Sequence, residues 1–114
     1  MTTEITNADE AAELALSISS DLFARAGYDR LNPFTDSRET AMFLRNLRAE
    51  LDSQEHAARM IDDDSLNARG ARNVVEDNRE AIKGWEWACE NYDNWQAFSE
   101  AAQEIQTQYA NAAG

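Results

Sequence analysis

The chain has 114 residues and carries 22 acidic against 10 basic side chains, a formal net charge of −12. This charge repels a phosphate backbone, so it argues against direct binding to nucleic acid and favours a basic protein partner. No apolar run reaches the roughly 18 residues of a membrane span, and the single cysteine excludes an intrachain disulfide. We expect one cytoplasmic domain over residues 1–114, frayed at 1–5 and 111–114.

The first predicted helix runs from about Ala8 to Ala26. Asn7 and Glu10 have the spacing of a capping box, and Gly27 suits a left-handed C-cap. Apolar residues at steps of three and four form one face, namely Ala11, Leu14, Ala15, Ile18 and Leu22. A loop over 27–35 follows, in which Pro33 disfavours helix at the preceding residue.

The second predicted helix begins near Asp36, which has capping-box spacing to Glu39. Its apolar stripe is Leu44, Leu47, Leu51, Ala58 and Ile61, with Phe43 and Met60 beside it. The helix is either continuous or restarts at Asp52, and the sequence leaves both open.

A third helix follows the acidic boundary at 62–65, with a stable part from about Ala71. Its face is Ala71, Val74, Val75, Ile82, Trp85, Cys89 and Tyr92. Asp93 or Asn94 caps the last helix, whose face is Trp95, Phe98, Ala102, Ile105 and Tyr109. The pattern predicts an all-α fold, a small bundle of four or five amphipathic helices.

The negative charge is concentrated in two stretches of the chain. Residues 1–34 carry a net −4 and residues 62–93 a net −5, whereas residues 35–61 carry only −1. Spaced carboxylates of this kind can imitate a phosphate backbone and occupy a groove that binds nucleic acid. The alternative is a solvated surface whose charge only keeps the protein dissolved.

Trp87 is the aromatic residue that does not fit the core pattern. It follows Trp85 by two residues, about 200° around a helix, and therefore points away from the apolar face. We expect Gly84 to leave the Trp87 ring accessible and Lys83 to lie over it as a cation–π partner. An exposed tryptophan is typical of contact hot spots. The alternative is that this helix is buried on two opposite sides, in which case Trp87 belongs to a second buried face.

The sequence offers weak candidates for metal binding or catalysis. The run 62–64 lacks the sixth-position glycine of a calcium loop and suits helix capping better. His56 with Asp52 is a poor ligand set, so we expect an exposed histidine paired with Asp52 or Glu55. Cys89 lies on the apolar face and is expected to be buried and inert. We therefore expect no metal, no cofactor and no catalysis.

These observations lead to the hypothesis of a small acidic inhibitor or nucleic-acid mimic of phage or mobile-element type. It would dock on a basic, nucleic-acid-binding partner, in the host cytoplasm if phage-encoded, and block it. The expected contact residues are Asp62, Asp63, Asp64, Glu76, Asp77, Glu80, Glu86, Trp87 and Glu90. The alternative is a structural subunit, a homo-oligomer or virion component, that assembles through Trp87, Trp95 and Phe98.

Overall fold

The computed structural model describes residues 5–27, 31–60 and 66–113. These residues form α1 (Ala8–Ala15), α2 (Ser20–Gly27), α3 (Ser37–Arg59), α4 (Leu66–Glu90) and α5 (Trp95–Ala113), with a 3-10 turn at Tyr92–Asn94. No strand occurs among them, which confirms the predicted all-α bundle. α1 packs against α4 and α5, and α3 packs against α2 and α4.

The single helix predicted over Ala8–Ala26 is wrong, because the chain breaks before Ser20. Ser19 caps α2, since its Oγ accepts from the Leu22 N–H at 3.3 Å and its carbonyl from the Phe23 N–H at 2.9 Å. The Ser17 hydroxyl donates to the Leu14 carbonyl at 2.6 Å and closes the end of α1. Serine side chains compete for backbone groups in this way and favour helix ends over interiors.

The predicted capping residues of α1 and α3 are confirmed. Asn7 accepts from the Glu10 N–H at 2.9 Å, and Asp36 accepts from the Glu39 N–H at 2.8 Å. α3 is continuous through Asp52, and α4 already begins at Leu66, earlier than its expected stable start at Ala71.

Three residues assigned to apolar stripes or placed beside them are exposed instead. Tyr92 is 69% exposed because α4 ends at Glu90 and the 3-10 turn redirects the chain. Met60 is 72% exposed because it follows the last residue of α3. Val74 is 42% exposed. Consecutive residues of a helix point in directions about 100° apart, and here Val75 is the one that points towards α3.

Trp85 occupies the centre of the core and is completely buried. Its ring centroid lies 4.7 Å from that of Phe43, 5.5 Å from Phe98, 5.7 Å from Phe34 and 6.3 Å from Phe23. Its indole N–H donates to the carbonyl of Ala15, the last residue of α1, at 3.0 Å. The buried indole donor therefore has a hydrogen-bond partner.

Asn78 of α4, which is 1% exposed, connects α3 and the break between α1 and α2 through its amide group. Its Oδ1 accepts from the Ser19 N–H at 2.9 Å, and its Nδ2 donates to Gln54 Oε1 at 3.0 Å and to Ser19 Oγ at 3.2 Å. These contacts fix the break between α1 and α2 against α3 and α4.

Gly84 is buried where α1 crosses α4, so its small size serves helix packing. A Cβ atom at this position would overlap the Ala11 carbonyl oxygen and lie 2.6 Å from the Ala15 nitrogen. Only glycine allows the two backbones to approach so closely. The expectation that Gly84 leaves the Trp87 ring accessible was therefore wrong, because Gly84 faces α1.

The variant Gly84→Ala tests this close approach. We expect it to lower the free energy of unfolding by about 1–3 kcal/mol, because α1 must move away from α4. Urea denaturation followed by circular dichroism measures the change. Gly70→Ala is the matched control, since nothing lies within 4 Å of its added methyl group, and should gain about 0.5–1 kcal/mol. Equal effects of the two variants would contradict the packing role.

Candidate functional site

Four of the nine expected contact residues lie on the side of α4 that faces away from the core. Positions 76, 80, 83, 87 and 90 recur at steps of three and four and therefore form one stripe along the helix. We call this stripe the α4 outer face; it consists of Glu76, Glu80, Lys83, Trp87 and Glu90. Val75, Ala81 and Ile82 lie on the opposite side and are buried.

Three of the expected acidic contact residues form ion pairs within the chain. Glu76 pairs with Arg79, Glu80 pairs with Lys83 at 2.9 Å, and Glu86 pairs with Arg48 of α3 at 3.3 Å. Such partly exposed pairs contribute only about 0–1 kcal/mol each, so an incoming cation can replace the internal one.

Two other acidic residues are exposed and form no ion pair with any described residue. They are Asp77, which flanks the α4 outer face, and Glu90, which ends it. Asp62, Asp63 and Asp64 lie outside the described residues, so their expected role stays a prediction.

Trp87 is half-buried and packs against the edge of the hydrophobic core. It shares a cavity of about 250 Å³ with Ile5, Lys83, Glu86 and Glu90, which we call the Trp87 notch. The Lys83 ammonium group binds both carboxylate oxygens of Glu80 at 2.9 Å. The described residues show no cation–π contact between Lys83 and the Trp87 ring, contrary to our expectation.

A second cavity, of about 230 Å³, lies between α3 and α4 and was missed from the sequence. Its floor is Ala58 and Val75, and its rim includes arginines from both helices. Arg79 donates to Glu55 from Nε at 3.1 Å and from Nη2 at 2.5 Å, and this hydrogen bonding raises the pKa of Arg79. Glu55 and Arg79 are 24 residues apart, so no local spacing could have predicted their contact.

Two of the three aromatic residues through which a structural subunit would assemble, Trp95 and Phe98, pack in the hydrophobic core or against it. Phe98 is completely buried, and the Trp95 indole N–H donates to Thr40 Oγ1 at 2.7 Å. Trp87 keeps an accessible surface, and Tyr92, five residues later, adds an exposed ring that the sequence assigned to the core.

The described part of the chain contains no cluster of three or more His, Cys, Asp or Glu side chains placed to hold a metal ion. His56 is exposed, as expected, but among the described residues it pairs with neither Asp52 nor Glu55, contrary to our expectation. None of the described helices is both long and apolar enough to cross a membrane. Comparisons with protein-family models, with curated proteins and with solved structures find no match for this chain.

Cys89 is half-buried, and desolvation raises the pKa of its thiol. Arg48, the next-largest influence, lowers this pKa, whereas Glu90 and Glu86 raise it further. The thiolate is the reactive form, so this environment opposes nucleophilic chemistry.

We expect iodoacetamide at pH 8 to label Cys89 severalfold more slowly in the folded protein than in urea, measured by mass spectrometry. The raised pKa also means that the unfolded state releases the thiol proton first. The contribution of Cys89 to the free energy of unfolding is therefore fully present below the thiol pKa of the unfolded state. It declines as the pH rises towards the higher thiol pKa of the folded state. Faster labelling of the folded protein would contradict this assignment and indicate an activated thiol.

Proposed function

We propose that this protein is a small, acidic, non-catalytic binding protein that docks on a basic, nucleic-acid-binding partner and blocks it. It would act in the cytoplasm, as an inhibitor of phage or mobile-element type acts in its host. The observation that supports this proposal is the α4 outer face, where carboxylates flank a half-buried tryptophan. Interfaces combine an aromatic anchor with complementary charge in this way.

The charge density of α4 is too low to imitate the phosphates of a DNA duplex and favours contacts with a few basic residues of a partner. Residues 76–90 span about 21 Å of helix and hold five carboxylates together with two cations. Duplex DNA presents about twelve phosphate charges over the same length. We therefore propose that the protein competes for a few basic residues of its partner instead of reproducing a phosphate backbone along its groove.

The second candidate is a subunit that self-associates through Trp87. The exposed ring of Tyr92 near the same end of α4 favours this alternative. Assembly through apolar rings survives or strengthens in salt, whereas pairing of charges weakens. A monomer over a wide concentration range in light scattering would exclude the subunit.

The experiment that tests the proposal uses the immobilised protein and the heparin-binding fraction of a cell lysate, washed with increasing salt. We expect a basic protein to be retained at low salt, released at high salt, and displaced by added duplex DNA. Retention of no basic protein, or retention that neither salt nor DNA reverses, would contradict the proposal.

A charge-neutralised variant then locates the working surface. The variant Glu76→Gln, Asp77→Asn, Glu80→Gln and Glu90→Gln should release the partner at clearly lower salt than the natural sequence. The matched control removes the same charge from α1 and α5 through Asp9→Asn, Glu13→Gln, Glu100→Gln and Glu104→Gln. Equal losses in both variants would mean that net charge alone, and not the α4 outer face, attracts the partner.

A further inference from the structure

We propose that the Trp87 notch is an arginine-recognition site. The guanidinium group of a partner arginine stacks on the Trp87 indole and pairs with the Glu90 carboxylate. This inference rests on the proposed function and specifies which basic side chain of the partner the α4 outer face selects.

The notch has the composition that a single long cationic side chain requires. Ile5 and Trp87 provide apolar and aromatic surface, and both pack against the hydrophobic core. The aliphatic part of an arginine side chain can lie along such surface while its charged end stays at the rim. Glu86 and Glu90 supply carboxylates on the same rim.

The internal ion pairs leave one carboxylate of the notch available. Glu86 pairs with Arg48 at 3.3 Å, and the Lys83 ammonium group binds Glu80. Glu90 is exposed and forms no ion pair with a described residue. It follows Trp87 by three residues, so the two side chains are neighbours on the helix surface.

The end of α4 adds a further preference for a cation. Glu90 is the last residue of this 25-residue helix, and a helix C-terminus carries partial negative charge. The Trp87 carbonyl accepts from the Asn91 N–H at 2.8 Å and from Asn91 Nδ2 at 3.0 Å. The backbone around the notch is therefore held in place before a ligand arrives.

Arginine fits this arrangement better than lysine. A planar guanidinium can stack on an aromatic face and still donate hydrogen bonds from its edge to a carboxylate. The compact, strongly hydrated ammonium group of lysine cannot make both contacts with the same geometry. The notch therefore discriminates between two side chains of equal charge, which a diffuse acidic surface would not do.

Nona-arginine and nona-lysine peptides of equal charge test the inference by NMR titration at low salt. The Trp87 indole N–H resonance, assigned with Trp87→Leu, should shift with nona-arginine. The indole N–H resonances of Trp85 and Trp95 should not shift, since these groups donate hydrogen bonds to the Ala15 carbonyl and to Thr40 Oγ1 within the protein. We expect nona-arginine to bind roughly 3- to 10-fold more tightly than nona-lysine.

Two variants and a control test whether the preference for nona-arginine arises at the Trp87 notch. Trp87→Leu and Glu90→Gln should each reduce nona-arginine binding towards that of nona-lysine, whereas Glu104→Gln on α5 should keep the preference. Glu90 is exposed, so its variant remains informative even if the Trp87 variant does not fold.

The other outcomes overturn the inference in distinguishable ways. Equal affinity for both peptides, with an unmoved Trp87 resonance, would refute the arginine site and leave docking on a basic partner standing. A preference for arginine that both variants retain would refute the assignment to this notch. Failure of both peptides to bind would refute the arginine site and the proposed function together.

Discussion

The burial of Trp85 beside the α1–α4 crossing is the constraint on which the structure depends. Four phenylalanine rings, from α2, α3, α5 and the segment before α3, contact this side chain, and its N–H group donates to the last turn of α1. Removing a side chain buried this completely typically costs about 3–5 kcal/mol, a large part of the stability of a small domain. Gly84, immediately before it, allows α1 to approach α4. These two neighbouring residues therefore set the position of α4 and its rotation about its own axis.

The outward surface of α4 follows from that rotation. Once Trp85 points into the core, the helical repeat turns Trp87 to the far side, where Glu80 and Glu90 lie along the same stripe. The ion pairs from Arg48 to Glu86 and from Arg79 to Glu55 join α3 to α4 along their exposed edges. Part of the negative charge of α4 is thereby neutralised internally, whereas Glu90, beside Trp87, forms no ion pair with a described residue. The functional proposal concerns this combination and not the total charge.

The three long helices α3, α4 and α5 and the outward direction of Trp87 could be predicted from the sequence, because both depend on spacing within about two turns. The capping residues Asn7 and Asp36 are local signals of the same kind. The break at Ser19 was missed because the apolar stripe continues across it, while the contact that fixes it comes from Asn78, 59 residues away. The role of Gly84 and the pairing of Glu86 depend on how α1 and α3 lie against α4. A single helical pattern contains no information about such long-range contacts.

The central claim is that a basic partner is recognised at the Trp87 end of α4. Hydroxyl-radical footprinting of the protein, alone and bound to the captured partner, tests this claim directly, because tryptophan and methionine side chains are both readily oxidised. Trp87 is the reporter at the proposed contact. Met42, which is 51% exposed on α3 and is not among the expected contact residues, is the reporter outside it. Binding should lower the oxidation rate of Trp87 severalfold and leave that of Met42 unchanged. Protection of Met42 with an unchanged rate at Trp87 would contradict recognition of the partner at this end of α4.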